Sequence, residues 1–197
     1  MSQRPALGCL FEIVETLVLT LIIFLVIQNF VAQPYQVQQQ SMERTLEPEQ
    51  YVLVDKLTPR FDAYKRGDIV VFKPPADWSQ EGTPFIKRVV GESGDRVEIR
   101  DDGWVYIDGV RLDEPYVYTD SNGDPQPTNA SLQSTWTVPD GELFLMGDHR
   151  SNSADSRTFG PVPVDQVIGR AWLRYWPFDA FGVLDTPTFS GLSQTAP

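Results

Sequence analysis

The feature that most constrains this chain is an apolar run near its start. Residues 7–32 read LGCLFEIVETLVLTLIIFLVIQNFVA and carry charge only at Glu12 and Glu15. A helix that spans a bilayer needs about 20 mostly apolar residues, and this run is long enough. The two glutamates are costly at the centre of a membrane, so we place them near the interface where the span begins. The run predicts a membrane anchor over residues 12–32, preceded by a short cytoplasmic N-terminus of residues 1–11.

The apolar run has two alternative interpretations: a cleaved signal peptide and the buried core helix of a globular domain. A signal peptide has a more basic start, a shorter apolar run and a cleavage site of small residues. Here Arg4 is the only early basic side chain, and residues 30–32, Phe-Val-Ala, fit such a site poorly. No further Lys or Arg occurs before Arg44. The positive-inside rule therefore favours an inside N-terminus and an outside body.

Composition limits what the body can bind. The net charge of −11 falls almost entirely after the anchor, so no nucleic-acid partner is expected. Cys9 is the single cysteine, which excludes a disulfide framework and a cysteine zinc site within one chain. Asp120, Asn122 and Asp124 have the spacing of a calcium loop, but the glycine and glutamate that such a loop requires are missing. We predict no metal and no cofactor.

The body has the pattern of β structure. Short runs rich in Val, Ile and aromatic residues alternate with turn residues, and Asp-Gly pairs at 102–103 and 108–109 are typical of hairpins. The clearest candidate strands are 68–72, 85–90, 97–112 (a meander), 142–146 and 167–175. We expect one mostly antiparallel β domain over residues 33–182. A tail rich in Thr, Ser and Gly, residues 183–197, is expected to be flexible.

A serine just outside the anchor raises the question of chemistry. Ser41 would need a base to act as a nucleophile. The only histidine, His149, lies in GDHRSNSADSR, which equally fits a polar structural loop. Lys87 alternates with apolar residues on a predicted strand and shares a face with Phe85 and Val89. Burial there would lower its pKa by up to about 3–5 units. A surface lysine that extends into water has the same pattern, so the sequence pattern leaves the base open.

Four segments, in order, resemble the bacterial type I signal peptidases, which are membrane-anchored Ser–Lys endopeptidases. They are QQSMERTL (39–46), YVLVDKL (51–57), RGDIVVFKPP with FIKRVVGESGDRVEI (66–75 and 85–99) and MGDHRSNSADSRTFGPV (146–162). Together with the single anchor they span most of residues 10–177, and the last two are specific. The resemblance implies a signal-peptidase-like β fold that removes signal peptides from exported preproteins. It also implies cleavage after small residues, typically Ala-x-Ala, through an acyl-enzyme and without a metal.

The resemblance also implies roles for individual residues. Ser41 would be the nucleophile, Lys87 the general base, and Ser153 a hydrogen-bond partner that orients the lysine. The Ser41 N–H and the Gln39 amide would stabilise the oxyanion. The supporting ionic network would consist of Asp148, Asp155, Arg88 and Arg157. The walls of the substrate pocket would come from Tyr35, Val37, Met42, Leu46, Phe85 and Ile86.

Three positions depart from the family pattern. Arg44 stands where proline is usual, and Gln39 stands where many members have a hydroxyl residue. His149 stands where asparagine is usual, and we interpret it as a polar substitute and not as a base. The first two changes put the stiffness of the Ser41 loop and the composition of the oxyanion hole in question.

The implied location is the plasma or inner membrane of a bacterium, with a single span and the catalytic domain on the outer face. The partners would be the lipid bilayer and preproteins that carry signal peptides. An aromatic group near the end of the body would face the membrane, although a buried strand is an equal alternative for its first two members. It consists of Trp172, Tyr175, Trp176, Phe178 and Phe181.

Two alternatives have a different function. One is an anchored, non-catalytic β module that binds exported polypeptides. The other uses Ser–Lys chemistry on a different bond, such as self-cleavage in a repressor. The anchor and the acidic body argue against the second alternative.

Overall fold

The computed structural model describes residues 4–75, 78, 82–130, 132–189 and 191–192. The chain begins with helix α1, Arg4–Val26, which continues into a π-helical turn, Ile27–Val31. One stretch among the described residues, Gly8–Val31, is long and apolar enough to cross a membrane by length and composition. Thr16 and Thr20 donate their hydroxyls to carbonyls four residues back. These polar groups are thereby satisfied within the helix, as an apolar environment requires.

The body that follows is built from two antiparallel sheets. The larger has eight strands in the order β1-β2-β11-β3-β4-β9-β10, with β12 paired to β11, and the smaller has the order β7-β6-β5-β8. The strands are β1 Ala32–Gln36, β2 Tyr51–Asp55, β3 Ile69–Phe72, β4 Phe85–Gly91, β5 Arg96–Ile99, β6 Val105–Ile107, β7 Val110–Arg111, β8 Thr135–Thr137, β9 Glu142–Met146, β10 Val162–Pro163, β11 Val167–Trp176 and β12 Gly182–Val183. A second helix, α2, spans Ser156–Phe159.

The fold class predicted from the sequence is confirmed: a mostly antiparallel β body follows one N-terminal apolar helix. Asp108 and Gly109 join β6 to β7 with φ values of 51° and 81°, the left-handed conformations that a two-residue hairpin of this kind requires. Strand β1 starts directly after the π-helical turn, so the anchor leads straight into the larger sheet.

Part of the predicted tail lies against the body. Gly182–Val183 pairs with β11, and Leu184 packs onto the cluster that includes Val37 and Val52. Phe189 and Leu192 pack onto the cluster of the smaller sheet. These apolar side chains find buried surface, which offsets the entropy that a free tail would keep.

Three clusters of buried side chains form the core. The first lies between the smaller sheet and β9 and includes Trp136, whose ring centroid is 5.0 Å from that of Phe144. The second lies under the turn that carries Ser41 and includes Met42 and Leu46. The third contains Val70, Phe72, Val89 and Leu145, with Trp78 and Val162.

Strand β4 places two charged residues in this core. Lys87 pairs with Val70 and Arg88 pairs with Ile69 across β3, and both side chains are 1% exposed. Because neighbouring residues in a strand point to opposite faces, the lysine and the arginine emerge on different sides of the sheet.

Replacing Phe144 by Ala should destabilise the body strongly, because the ring is fully buried against Trp136. Truncations of this kind lower the free energy of unfolding by about 3–5 kcal/mol. Urea denaturation of the detergent-solubilised protein would measure the change. Leu132→Ala, at a side chain 91% exposed, is the control and should stay within about 0.5 kcal/mol of the parent. Equal midpoints for the two variants would contradict the assigned core.

Candidate active site

Ser41 sits on a short 3-10 turn, Gln40–Met42, between β1 and β2. The turn is fixed from below, since Met42 and Leu46 are fully buried. The chain then bends back through Arg44, whose φ of 81° lies in the left-handed region that side chains other than glycine seldom adopt. Ser41 is therefore held on a turn with little freedom, and it is 4% exposed.

The side chain of Lys87 reaches Ser41. Its Nζ donates to the Ser41 Oγ at 2.5 Å and lies 5.4 Å from the centre of the Phe85 ring. Burial lowers the pKa of Lys87 from 10.5 to about 8, although the negative charges of Asp155 and Asp148 act in the opposite direction. A buried ammonium loses its hydration, which favours the neutral amine. The geometry joins the Ser41 hydroxyl to a lysine whose ammonium form readily loses its proton.

Asp148, one of the two carboxylates near the lysine, is engaged by Arg88. The Arg88 Nε donates to Asp148 Oδ1 at 2.9 Å and its Nη2 donates to Oδ2 at 2.7 Å. The Thr45 hydroxyl donates to the same carboxylate at 2.5 Å, and the guanidinium lies 4.0 Å from the centre of the Tyr116 ring. A two-pronged contact of this kind is among the stronger polar interactions in proteins.

Asp155, the second carboxylate, is engaged by Arg157. The Arg157 Nε and Nη2 donate to its two oxygens, each at 2.8 Å, and the Gly147 N–H donates to Oδ2 at 3.1 Å. Burial alone would raise the pKa of Asp155, yet the hydrogen bonds and charge of Arg157 lower it below its ordinary value. Because each carboxylate has its own arginine, neither serves as the direct counterion of Lys87.

Gly147 brings the loop after β9 up against Ser41. A Cβ atom at this position would lie 2.5 Å from the Ser41 carbonyl oxygen and would also collide with Ser153. The Arg150 Nε donates to the Gly147 carbonyl at 3.1 Å, and the same guanidinium is paired with buried Glu114. Sequence analysis did not single out Gly147, Thr45 or Arg150, although all three lie within the segments that carry the family resemblance.

Ser153 lies in the site without the hydrogen bond expected from the sequence. Its buried Oγ is not a hydrogen-bond partner of the Lys87 Nζ within the described part of the chain, and it contributes instead to lowering the pKa of Asp155. The Lys87 Nζ donates to Ser41 instead. The structure therefore places both Ser153 and the Ser41 carbonyl beside Gly147, but the predicted contact of Ser153 with the lysine is absent.

His149 contacts the Ser41 turn through its backbone, while its ring points elsewhere. Its N–H donates to the Ser41 carbonyl at 3.0 Å. The ring Nδ1 lies 2.6 Å from a carboxylate oxygen of Glu43, and the ring stacks on Tyr118 with centroids 4.1 Å apart. The side chain that meets the Ser41 hydroxyl is thus Lys87 and not His149.

A groove that reaches Gln39, at the start of the Ser41 turn, contains four of the six predicted pocket residues. Tyr35, Val37, Phe85 and Ile86 line it, together with residues such as Gln39 and Val71. Met42 and Leu46, predicted for the same wall, are not among the lining residues. They point inward from the turn and pack in the cluster with Val52 and Val54.

The Gln39 side chain is exposed at the start of the Ser41 turn. Among the described residues, no group of three or more His, Cys, Asp or Glu could hold a metal ion.

Comparison with known proteins gives a consistent result. A family model described as "Signal peptidase, peptidase S26" matches residues 10–176. "Probable signal peptidase I-1" of Synechocystis sp. is 36% identical over 182 residues, which cover 90% of this chain and 88% of that protein. "Signal peptidase I" of Leptolyngbya laminosa is 35% identical over 190 residues, covering 94% and 89%. "Signal peptidase IB" of Staphylococcus aureus is 30% identical over 183 residues, covering 87% and 92%.

A crystal structure of a signal peptidase I from Enterococcus faecalis V583 is 34% identical in sequence. The structural alignment covers 55% of this chain and 97% of that one and has a TM-score of 0.43. The match to the family model extends from the N-terminal apolar helix to the end of β11. The chain belongs to the signal peptidase family, peptidase S26.

Proposed function

We propose that Ser41 and Lys87 form the catalytic dyad with which this serine endopeptidase removes signal peptides from exported preproteins. The observation that carries the proposal is the buried 2.5 Å hydrogen bond between the Lys87 Nζ and the Ser41 Oγ. At pH 7 about a tenth of Lys87 side chains are neutral at a pKa of about 8, against about one in three thousand at 10.5. Burial thus supplies a base without a histidine.

The reaction follows from these two groups. Neutral Lys87 accepts the Ser41 proton while the Oγ attacks the carbonyl carbon of the small residue that precedes the cleaved bond, which forms a tetrahedral oxyanion. The C–N bond then breaks, and the Lys87 ammonium returns the proton to the leaving amine. An ester between Ser41 and the signal peptide remains. Lys87 next takes a proton from water, whose oxygen attacks the ester carbonyl carbon. The bond between that carbon and the Ser41 Oγ then breaks, the Lys87 ammonium returns the proton to the Oγ, and the signal peptide leaves with a free carboxyl group.

The substrate strand would add to the free edge of β4. Strand β3 pairs with residues 85–88 of β4, whereas pairing with β9 begins only at Arg88. The first residues of β4 therefore keep one unpaired edge beside the groove, where an extended peptide can form backbone hydrogen bonds. Tyr35, Val37, Phe85 and Ile86 narrow this groove, which favours small side chains such as those of an Ala-x-Ala site.

We assign the oxyanion to the Ser41 N–H and the Gln39 amide. The Gln39 side chain is exposed and forms no hydrogen bond among the described residues, so its amide is free to turn toward the substrate. Such donors act by matching the charge that develops in the transition state.

The location that we propose is the outer face of a bacterial plasma or inner membrane, with residues 8–31 as the retained single span and residues 33–182 as the catalytic domain. The nucleophile follows the last residue of the π-helical turn by only ten positions. A preprotein's own apolar segment would lie in the same bilayer, so its cleavage site would emerge close to Ser41. A non-catalytic binding module would have no need for a buried lysine against a serine.

Ser41→Ala and Lys87→Ala should each abolish cleavage of a preprotein with an Ala-x-Ala site, because removal of a general base alone costs about 10²–10⁴-fold. The activity of the parent should rise as the pH increases through about 8, since protonated Lys87 cannot accept the serine proton. The measurement is kcat/KM from about pH 6 to about pH 10 in detergent. Lys73→Ala, at an exposed lysine on the end of β3, is the matched control. A flat profile, or activity in Lys87→Ala, would move the base elsewhere.

His149→Asn should retain activity and the pH profile. The backbone N–H that binds the Ser41 carbonyl remains in this variant, and only the ring contacts with Glu43 and Tyr118 are lost. We expect a decrease smaller than the roughly hundredfold that marks loss of a general base. A decrease as large as that of Lys87→Ala, with an unchanged melting temperature, would assign the proton transfer to His149.

Gln39→Ala should lower kcat by roughly tenfold, less than the 10²–10³-fold typical of enclosed oxyanion donors, because Gln39 is exposed to water. KM should stay unchanged, since the interaction forms only in the transition state. Gln133→Ala is the control, at another exposed glutamine that does not line the groove. Equal kcat values for both variants and the parent would exclude Gln39 from the oxyanion hole.

A further inference from the structure

A loop beside the end of the anchor exposes apolar and basic side chains together. Residues 56–61, KLTPRF, follow β2 and are called the anchor loop below. Phe61 is 84% exposed and Leu57 is 40% exposed. Arg60 is also exposed. Single exposed apolar residues are common on protein surfaces, but neighbouring ones flanked by polar or charged side chains mark candidate interaction sites.

The anchor loop is attached to the last turn of the anchor. The Lys56 N–H donates to the Val31 carbonyl at 2.9 Å, and the Lys56 Nζ donates to the Gln33 side chain at 3.4 Å. The Arg60 guanidinium lies 5.8 Å from the centre of the Phe30 ring. If residues 8–31 span a bilayer, these contacts place the loop at the level of the lipid headgroups.

The exposure of Phe61 does not come from a loose loop. Asp55 Oδ1 accepts hydrogen bonds from the N–H groups of Leu57 and Thr58, at 2.8 and 3.1 Å. The Phe61 N–H then donates to the Thr58 carbonyl at 2.9 Å. The loop thus contains an ordered 3-10 turn, Thr58–Arg60, which holds the aromatic ring outward.

The loop also carries positive charge on an acidic chain. The net charge is −11, yet neither Lys56 nor Arg60 forms an ion pair within the described residues. The nearby carboxylate of Asp62 is already paired with Lys65 at 3.0 Å. Two unpaired basic side chains beside an anchor are suited to the phosphates of anionic lipids.

We propose that the anchor loop is a membrane-contact site that binds the headgroup region of an anionic bilayer. Leu57 and Phe61 enter the interface, and Lys56 and Arg60 bind lipid phosphates. This inference rests on the proposed membrane span and is independent of the Ser41–Lys87 chemistry.

The contact would fix the distance between Ser41 and the membrane surface. Strand β1 runs from Ala32, beside the loop, to Gln36, a rise of about 13 Å at 3.3 Å per residue. The exposed aromatic residues of the C-terminal segment lie at the other end, because Trp176 pairs with Tyr51 and Tyr51 pairs with Gln36. The anchor loop and the aromatic group are therefore separate candidate surfaces, and only the loop adjoins the anchor.

The depth of a spin label in the full chain tests this proposal. The parent is Cys9→Ser, which removes the single cysteine, and a nitroxide is placed at Phe61→Cys, Phe178→Cys or Leu132→Cys, all highly exposed sites. The protein is reconstituted into vesicles of phosphatidylcholine with phosphatidylglycerol. We expect the label at 61 to collide several-fold more with oxygen and less with a water-soluble nickel chelate than the label at 132. Equal collision rates for the labels at 61 and 132 would overturn the proposal. A label at 178 in contact with lipid, together with a label at 61 in contact with water, would also overturn it.

The charged part of the contact has its own control. Lys56→Gln with Arg60→Gln should shift the label at 61 toward water in the anionic vesicles, whereas Lys73→Gln with Arg111→Gln, at exposed sites away from the loop, should not. An unchanged depth in the first pair would overturn the headgroup contact. Cleavage in detergent should stay at the parent level in all these variants. A parent that is inactive but deeply labelled at 61 would contradict the proposed dyad and support the membrane contact.

Discussion

The burial of Lys87 is the interaction on which the rest of the site depends. An ammonium in this core would lose its hydration, and the two nearest carboxylates are each bound by an arginine. Asp148 forms a bidentate contact with the Arg88 guanidinium, and Asp155 forms one with the Arg157 guanidinium. The lysine is thereby surrounded by charges that already balance one another, so the neutral amine becomes accessible near pH 8. A single direct carboxylate partner would have the opposite effect and hold the proton on the lysine.

The antiparallel sheet explains how one short strand supplies both the proposed base and its support. Lys87 and Arg88 are neighbours in β4 and point to opposite faces. One therefore reaches Ser41, and the other reaches Asp148 in the loop after β9. That loop approaches because Gly147 has no side chain. Any side chain at this position would separate the loop from the Ser41 turn and loosen the contacts between the two segments.

Some of this arrangement could be predicted from the sequence, and some could not. Period-two alternation identified the strand of Lys87 and its face, and the segment motifs selected Ser41 as its partner. Met42 and Leu46 were assigned to the pocket, yet they pack beneath it, because side chains on a turn can point either way without changing the sequence pattern. The Ser153 contact with the lysine was also expected and is absent, since a hydroxyl's direction depends on its local backbone. The tail residues Phe189 and Leu192 pack on the body although their segment has the composition of a flexible terminus.

By itself, the sequence determined the features that depend on local composition and order: one apolar span and a body of short antiparallel strands. The candidate pair Ser41 and Lys87 came from segments that resemble a known family. Helix length and strand alternation follow from the backbone's own periodicity, so they can be predicted without a fold. Tertiary structure alone decided which lysine lost its water, which arginine bound which carboxylate, and that the loop after β2 meets the end of the anchor. These properties arise from segments 23 to 103 residues apart along the chain, and desolvation exists only once those segments enclose a shared space.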